Sequence, residues 1–437
     1  MGDIGIGIAI LALLLGLLLT GLWIFVALLL TGAAVLYFVS DFNLSRIGLN
    51  MYPVLMGRLT SYDFAALPMF VWMAEIVFHS RISKGIFAGL APWLVNVPGR
   101  LLHVNVLGSG LFGAVSGSSA ATCATIARVT LPELKRRGYD ERLAVGSLAG
   151  SATLGILIPP SITMVIYALA ADVSLVRLFL AGFLPGLVVI LLYSGYIAGW
   201  ALMHPELMPP SEPQTTLRER IVATKRLIPT MALILGVVIV LVAGWVSPSE
   251  CAAVGVAGAL LLAWLSGGFT LDSFKQSVAG AVQISCMILL ILATAAFMSS
   301  ALSYSGMPTK LASWVGSLDL STWALIAVLL AIYIILGTAV DGVSLIVLTM
   351  PVVLPLVIQA QIDLIWFGIF MILVIEMSEV TPPVGFCLFV LQAISGRDSF
   401  YVGIAALPFF ILLAVAVGLI TVFPEIVMFL PDAVFGN

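Results

Sequence analysis

Apolar stretches of about 20 residues, the length that crosses a bilayer as a helix, alternate along the chain with short polar connections. Several carry small or polar residues at their centre, where an unbroken span would carry none. Residues 4–39 accommodate two closely joined spans ending before Asp41, and Arg46 and Arg58 then bracket a polar, proline-containing connection. Residues 63–79 read as a helix with Glu75 at membrane depth. An intramembrane carboxylate is costly and usually faces a bundle interior or cavity, so Glu75 is either a functional group or a buried, hydrogen-bonded structural one. A further apolar segment covers about 85–97.

Residues 103–134 differ from a simple span. Their centre, 113–125, is small and hydroxyl-rich, and neither apolar flank is long enough to cross alone. Two readings fit: a helix with a small-residue packing face, or a re-entrant hairpin whose Gly/Ser tip is buried in protein or beside water. Ser116, Gly117, Ser118 and Ser119 are consecutive and would wrap around a helix, which favours the hairpin. Residues 146–171 follow as a broken helix interrupted at Pro159-Pro160, since proline removes a backbone donor and clashes with the preceding turn. Residues 176–202 return across the membrane.

A polar linker at 203–226 separates this first half (1–202) from a second (227–437). Apolar stretches at about 228–246, 250–266, 276–302 and 321–338 supply spans, with a connector at 308–317. A second hairpin is expected at about 339–356, a second broken helix at 364–393 around Pro382-Pro383, and a last span at about 400–430. Pro132, Pro159-Pro160 and Pro185 map onto Pro355, Pro382-Pro383 and Pro408 at one offset of 223 residues, which predicts an internal repeat. The first hairpin exits into Lys135-Arg136-Arg137, and Arg218, Arg220, Lys225 and Arg226 mark the linker, placing both in the cytoplasm by the positive-inside rule. The second hairpin exits into 359–363 with no base nearby, so the repeat is expected to be inverted.

Composition fixes the solvent: 62% of 437 residues are hydrophobic, 9% are charged and the mean hydropathy is +1.21. The fold class is therefore an all-α polytopic membrane protein built as an inverted repeat with two re-entrant hairpins and two discontinuous helices. Residues 4–38 outrun a signal-peptide apolar region and lack a basic start, so they count as membrane structure. A net charge of −3 offers no basic field for phosphates and argues against nucleic acid as a partner. Cys123, Cys251, Cys286 and Cys387 show no CxxC spacing and read as small core residues.

Inverted repeats with paired discontinuous helices mark secondary transporters, in which freed carbonyls hold cations and half-helix N-termini attract anionic groups. Sodium is the expected coupling ion, because hydroxyls beside unwound carbonyls are hard oxygen ligands that bury few formal charges. One site is expected where Ser116 and Ser119 meet Gly155, Ile158 and Pro160. Its repeat mate combines Gly337 and Asp341 with Ser378, Thr381 and Val384. Gly117, Ser118, Thr153, Ser161 and Gly342 are expected to receive a carboxylate-bearing substrate. Asp341 also reads as a helix cap, and Glu376 and Glu379 as structural partners of buried polar groups.

At these residues the chain resembles the large membrane subunit of tripartite ATP-independent periplasmic (TRAP) transporters, the type associated with C4-dicarboxylate or sialic acid uptake. The resemblance rests on Gly-Ala-Val-Ser-Gly-Ser-Ser-Ala-Ala-Thr through Leu-Pro-Glu-Leu-Lys-Arg-Arg-Gly-Tyr, on Gly-Ser-Ala-Thr-Leu-Gly-Ile-Leu-Ile-Pro-Pro-Ser and on Met-Ser-Glu-Val-Thr-Pro-Pro-Val-Gly. It spans nearly the whole length. It implies a sodium-coupled importer of a small organic anion, a carboxylate or sulfonate, in a bacterial inner membrane. It further implies a periplasmic substrate-binding protein, a separate small four-helix membrane subunit and an elevator movement. The hairpin-bearing domain would move against a scaffold drawn from parts of 4–60 and 176–266. The chain carries no Walker-type Gly-x-x-x-x-Gly-Lys-Ser/Thr motif, which fits ion-driven transport. An intramembrane enzyme built on Ser118 or on a Glu/His pair would need a nucleophile with a base in reach, and His79, His103 and His204 sit at span ends, far in sequence from the serine cluster. An ion channel is the other alternative, and it would conduct with no binding protein.

Overall fold

The computed structural model describes residues 3–80, 82–209, 215–308, 310, 313, 321–338, 340–382 and 385–436. All regular structure among them is helical. The first half comprises α1 (Asp3–Leu19), α2 (Ile24–Phe38), α3 (Leu44–Leu59), α4 (Ala66–Phe78), α5 (Ile82–Leu94), α6 (Leu102–Ser116), α7 (Ser119–Arg136), α8 (Glu141–Ala152), α9 (Leu154–Leu157), α10 (Ile162–Ala171) and α11 (Leu175–Met203). The rest comprises α12 (Leu217–Thr224), α13 (Ile228–Val242), α14 (Pro248–Leu265), α15 (Leu271–Ser305), α16 (Thr322–Gly337), α17 (Gly342–Gln359), α18 (Leu364–Glu379), α19 (Phe386–Ser395), α20 (Ser399–Val422) and α21 (Glu425–Phe435). Among the described residues α11, α14, α15, α17 and α20 are each long and apolar enough to cross a membrane. So is the pair formed by α8–α9 and α10, bent by 46° at its break.

Two packed groups share one core. α2, α3 and α4 lie along α15, and α4 also packs on α14. The Trp72 indole donates to the Ser277 hydroxyl (3.4 Å), tying α4 to α15. The other group gathers α6–α11 and α17–α21. α11 packs on α6, α18, α20 and α21, so residues 175–203 belong to this second group. α6 is pinned to α8 by buried polar contacts. The Asn105 amide donates to the Ser147 hydroxyl (2.9 Å) and the Ser151 hydroxyl donates to the Asn105 carbonyl (3.0 Å). Hydrogen-bonded pairs of this kind let polar groups stay buried without the full cost of desolvation.

The 223-residue spacing recurs in the helix boundaries. α7 and α8 begin at Ser119 and Glu141, and α17 and α18 begin at Gly342 and Leu364. Local caps explain the coincidence. Ser118 accepts the Ala121 N–H and Asp341 accepts the Ser344 N–H, while Asp140 and Asp363 cap the next pair. Each supplies an acceptor for a donor that has no partner in the first turn. α8 and α18 run in opposite directions relative to α20. Glu141, at the start of α8, pairs with Arg397 just before α20 (Nε to Oε1, 3.1 Å), whereas Trp366, at the start of α18, donates to the Ile420 carbonyl near the end of α20 (2.9 Å).

Three segments depart from the pattern read along the chain. The connection around Arg46 and Arg58 is the helix α3, started by Asn43 accepting the Arg46 N–H (2.9 Å) and continued through Pro53. The linker contains α12, whose Thr216–Glu219 capping box closes its first turn, and Trp93 donates to Thr224 (3.0 Å) to hold it on α5. The expected second hairpin at 339–356 is occupied by the continuous helix α17. α17 begins at Gly342 behind its Asp341 cap, and the helix before it is α16, which ends at Gly337 and is read above as a separate span. Pro351 and Pro355 sit inside α17 without ending it. Most of the 308–317 connector lies outside the described residues.

Candidate functional site

The first tip is built by two helices meeting at Gly117 and Ser118. Gly117 takes φ +58, a left-handed conformation that suits glycine, and a Cβ there would stand 2.8 Å from the Ile162 nitrogen. Within the tip the Ser116 hydroxyl shares a hydrogen bond with Thr122 Oγ1 (2.8 Å) and donates toward the Ser118 carbonyl (3.3 Å). Gly155 lies against this cluster: a Cβ on it would be 2.7 Å from Thr122 Oγ1 and 3.0 Å from the Ser118 carbonyl oxygen. α6 crosses the broken helix at the same level, where a Cβ on Gly113 would stand 2.8 Å from the Gly155 nitrogen. Ile158 instead packs toward Gly110 and Gly186, and Pro160 is buried in the break.

The second tip repeats the crossing with different residues. Gly337 abuts the Ser378 side chain, as Gly113 abuts Gly155. The Ser378 hydroxyl donates to the Ile375 carbonyl and that of Thr381 to the Met377 carbonyl, each at 2.7 Å. Asp341 caps α17 while also lining the cavity below. Val384 lies outside the described residues.

Both tips open on one cavity of about 670 Å³. Residues 116–121 line it from one tip and 341–344 from the other. Ile162, Thr163 and Phe386 add the starts of α10 and α19, so four helix N-termini converge on this space. Each N-terminus carries about half a positive charge and unpaired N–H groups, which favour an anion. The ends of α6 and α18 reach the same wall through Ser116 and Glu379, where carbonyl ends favour cations. Cys387 donates to Glu379 Oε2 (3.7 Å), and Ser119 faces that carboxylate.

Of the residues expected to hold solute or ion, Ser116, Gly117, Ser118, Ser119, Asp341 and Gly342 line the cavity. Thr153 and Ser161 do not: their hydroxyls donate to Gly150 and Ile156 carbonyls, each at 2.7 Å, and both are buried in the packing around the break. Glu75, Trp23, Phe25, Phe78 and Phe386 line it without having been assigned to it. For Glu75 the signal was there, a lone carboxylate in an apolar helix.

Glu376 stands one turn behind Glu379, fully buried, with no hydrogen-bond partner for either carboxylate oxygen among the described residues. Thr153 lies beside it but gives its single proton to Gly150. Glu376→Met removes both unpartnered oxygens at similar side-chain length and is expected to be neutral or stabilising. The readout is an unchanged or higher thermal unfolding midpoint of the purified protein. A lower midpoint would mean that the carboxylate holds a partner.

The sequence profile of the family described as "Tripartite ATP-independent periplasmic transporter, DctM component" matches residues 11–426. A C4-dicarboxylate TRAP transporter large permease protein of Pseudomonas aeruginosa is 30% identical over 374 residues, covering 85% of this chain and 86% of that protein. An ectoine TRAP transporter large permease protein of Halomonas elongata is 27% identical, covering 97% of this chain and 98% of its own. A sialic acid TRAP transporter large permease protein of Vibrio cholerae is 25% identical and covers 97% of both chains. The crystal structure of the Alcanivorax borkumensis YdaH transporter shares the fold, with a TM-score of 0.63 at 13% identity over 88% of this chain and 91% of that one.

Proposed function

The chain belongs to the DctM component family of tripartite ATP-independent periplasmic transporters, and from that premise we propose that it imports a small carboxylate- or sulfonate-bearing solute by sodium symport. The supporting observation is the convergence of both tips and four helix N-termini on one cavity. The donor set there suits a hard cation: hydroxyls of Ser116, Ser119 and Thr122, the Ser118 carbonyl, and the carboxylates of Asp341 and Glu379. A sodium ion at each tip would supply positive charge next to these oxygens. Coupling follows from the arrangement, because an ion that fixes a tip also fixes the N-terminus that begins there. Solute and sodium then favour the same conformation, and each raises the affinity for the other.

The antiparallel run of α8 and α18 supports an inverted repeat with two re-entrant hairpins. In this reading the group α6–α11 and α17–α21 rides as one body against α1–α4 and α13–α15, and the cavity lies on the plane between them. The protein would sit in a bacterial inner membrane with a small four-helix subunit, and a periplasmic binding protein would deliver the solute. Relatives named for a dicarboxylate, a sialic acid and ectoine carry different solutes, so the anionic group is the shared chemistry.

The test is uptake by proteoliposomes holding the large and small subunits, with the solute-loaded binding protein added outside. An inward sodium gradient is expected to drive accumulation and an equal potassium gradient to give none. Accumulation without sodium, or by this chain alone, overturns the reading.

A further inference from the structure

We propose that the solute carries a positive charge in addition to its anionic group, and that Glu75 on α4 receives it. The inference rests on the reading of this chain as a permease whose solute occupies the cavity between the tips. Three carboxylates line that cavity, those of Glu75, Asp341 and Glu379, and among the described residues no Lys, Arg or His side chain does. A dicarboxylate would meet repulsion from these three groups. Asp341 and Glu379 stand at the tips, where cations and helix ends share their charge. Glu75 lines the same cavity from α4, which belongs to neither tip.

The surroundings of Glu75 are fixed by packing. Its carboxylate lies over Gly280 of α15, where an added Cβ would be 2.5 Å from Oε2, so any larger residue would displace it. The Trp72–Ser277 hydrogen bond holds the same two helices together a turn away. His79 is 3.4 Å from Oε2, but its Nδ1 is shared with the Glu75 carbonyl oxygen at 3.0 Å, and its ring does not line the cavity. Trp23, Phe25 and Phe78 line the same cavity as Glu75. A carboxylate and aromatic rings in one cavity are the chemistry that receives a substituted ammonium or amidinium, through charge and cation–π attraction together. The tips offer helix N-termini to an anion. A zwitterion therefore satisfies both: carboxylate toward the tips, cationic head toward Glu75.

The test uses glycine betaine, its isostere without the ammonium charge, 3,3-dimethylbutanoate, and succinate, added to the purified large and small subunits in sodium buffer. The readout is the probe concentration needed to raise the thermal unfolding midpoint. Glycine betaine is expected to act at least tenfold more potently than either carboxylate, and Glu75→Gln to abolish that margin without weakening 3,3-dimethylbutanoate. Equal or better binding of the isostere or succinate overturns the proposal, as does a betaine margin that survives in Glu75→Gln. If sodium alone raises the midpoint and no probe does, the charge assignment falls while the permease reading stands. If neither sodium nor any probe acts, both fall. The wild-type comparison decides even if the variant fails to fold.

Discussion

Gly113→Ala is expected to cut sodium-driven uptake by about tenfold or more and to lower stability. This reverses the usual sign, since alanine at a helical glycine ordinarily adds up to about 1 kcal/mol. At Gly113 the new methyl would meet the backbone nitrogen of Gly155 at 2.8 Å, and the Cα lies closer still. Backbone cannot rotate out of the way, so α6 and the broken helix must separate. Forced overpacking of this kind costs about 1–3 kcal/mol, enough to depopulate the seated tip by about five- to a hundred-and-fiftyfold. Gly195 on α11 is the control, because nothing lies within 4 Å of its added Cβ and alanine there should be neutral or stabilising. Uptake and thermal unfolding of the two variants measure the difference. A Gly113→Ala protein that is more stable and fully active would mean that these helices do not meet so closely in the working transporter.

Asp341→Asn is expected to raise the sodium concentration for half-maximal uptake by about tenfold or more with little loss of stability. Asparagine caps a helix about as well as aspartate, so the hydrogen bond from the Ser344 N–H can be kept while the charge is removed. Asp341→Ala loses both and should fall further, with about 1 kcal/mol of stability gone as well. If capping were the only role, the asparagine variant would show the wild-type sodium dependence. Uptake measured across a sodium series separates the two roles.

The landmarks legible in the sequence were those set by local chemistry. Pro159-Pro160 marked the first break, and Gly117 with its serines marked the first tip, because backbone conformation and capping are decided within a few residues. The same reasoning failed where tertiary packing overrode a local signal. Pro53 suggested a connection, yet α3 continues through it against α15. The small, polar centre within 337–355 suggested a break there, yet α17 starts at its Asp341 cap and runs on through Pro351 and Pro355. Nothing in the sequence shows that the Thr153 and Ser161 hydroxyls donate to carbonyls three and five residues away. The far wall of the cavity was the least legible part. Gly280 makes room for Glu75 across 205 residues of chain, and Trp23 arrives from the turn before α2, contacts that exist only once the helices are packed.

The pairing of α8 with α20 bears on how the protein is made. Gly146 and Gly150 form notches filled by the backbone at Ala405 and the ring of Phe409, and Tyr193 also packs edge-on against Phe409 (centroids 5.1 Å apart). A ribosome delivers α8 and α11 long before α20, so the first broken helix must wait in the bilayer with its notches open. Final assembly is thus postponed to the last stage of synthesis. A nascent chain stalled before residue 405 would present quality-control proteases with an unfinished bundle and not with an independently folded half.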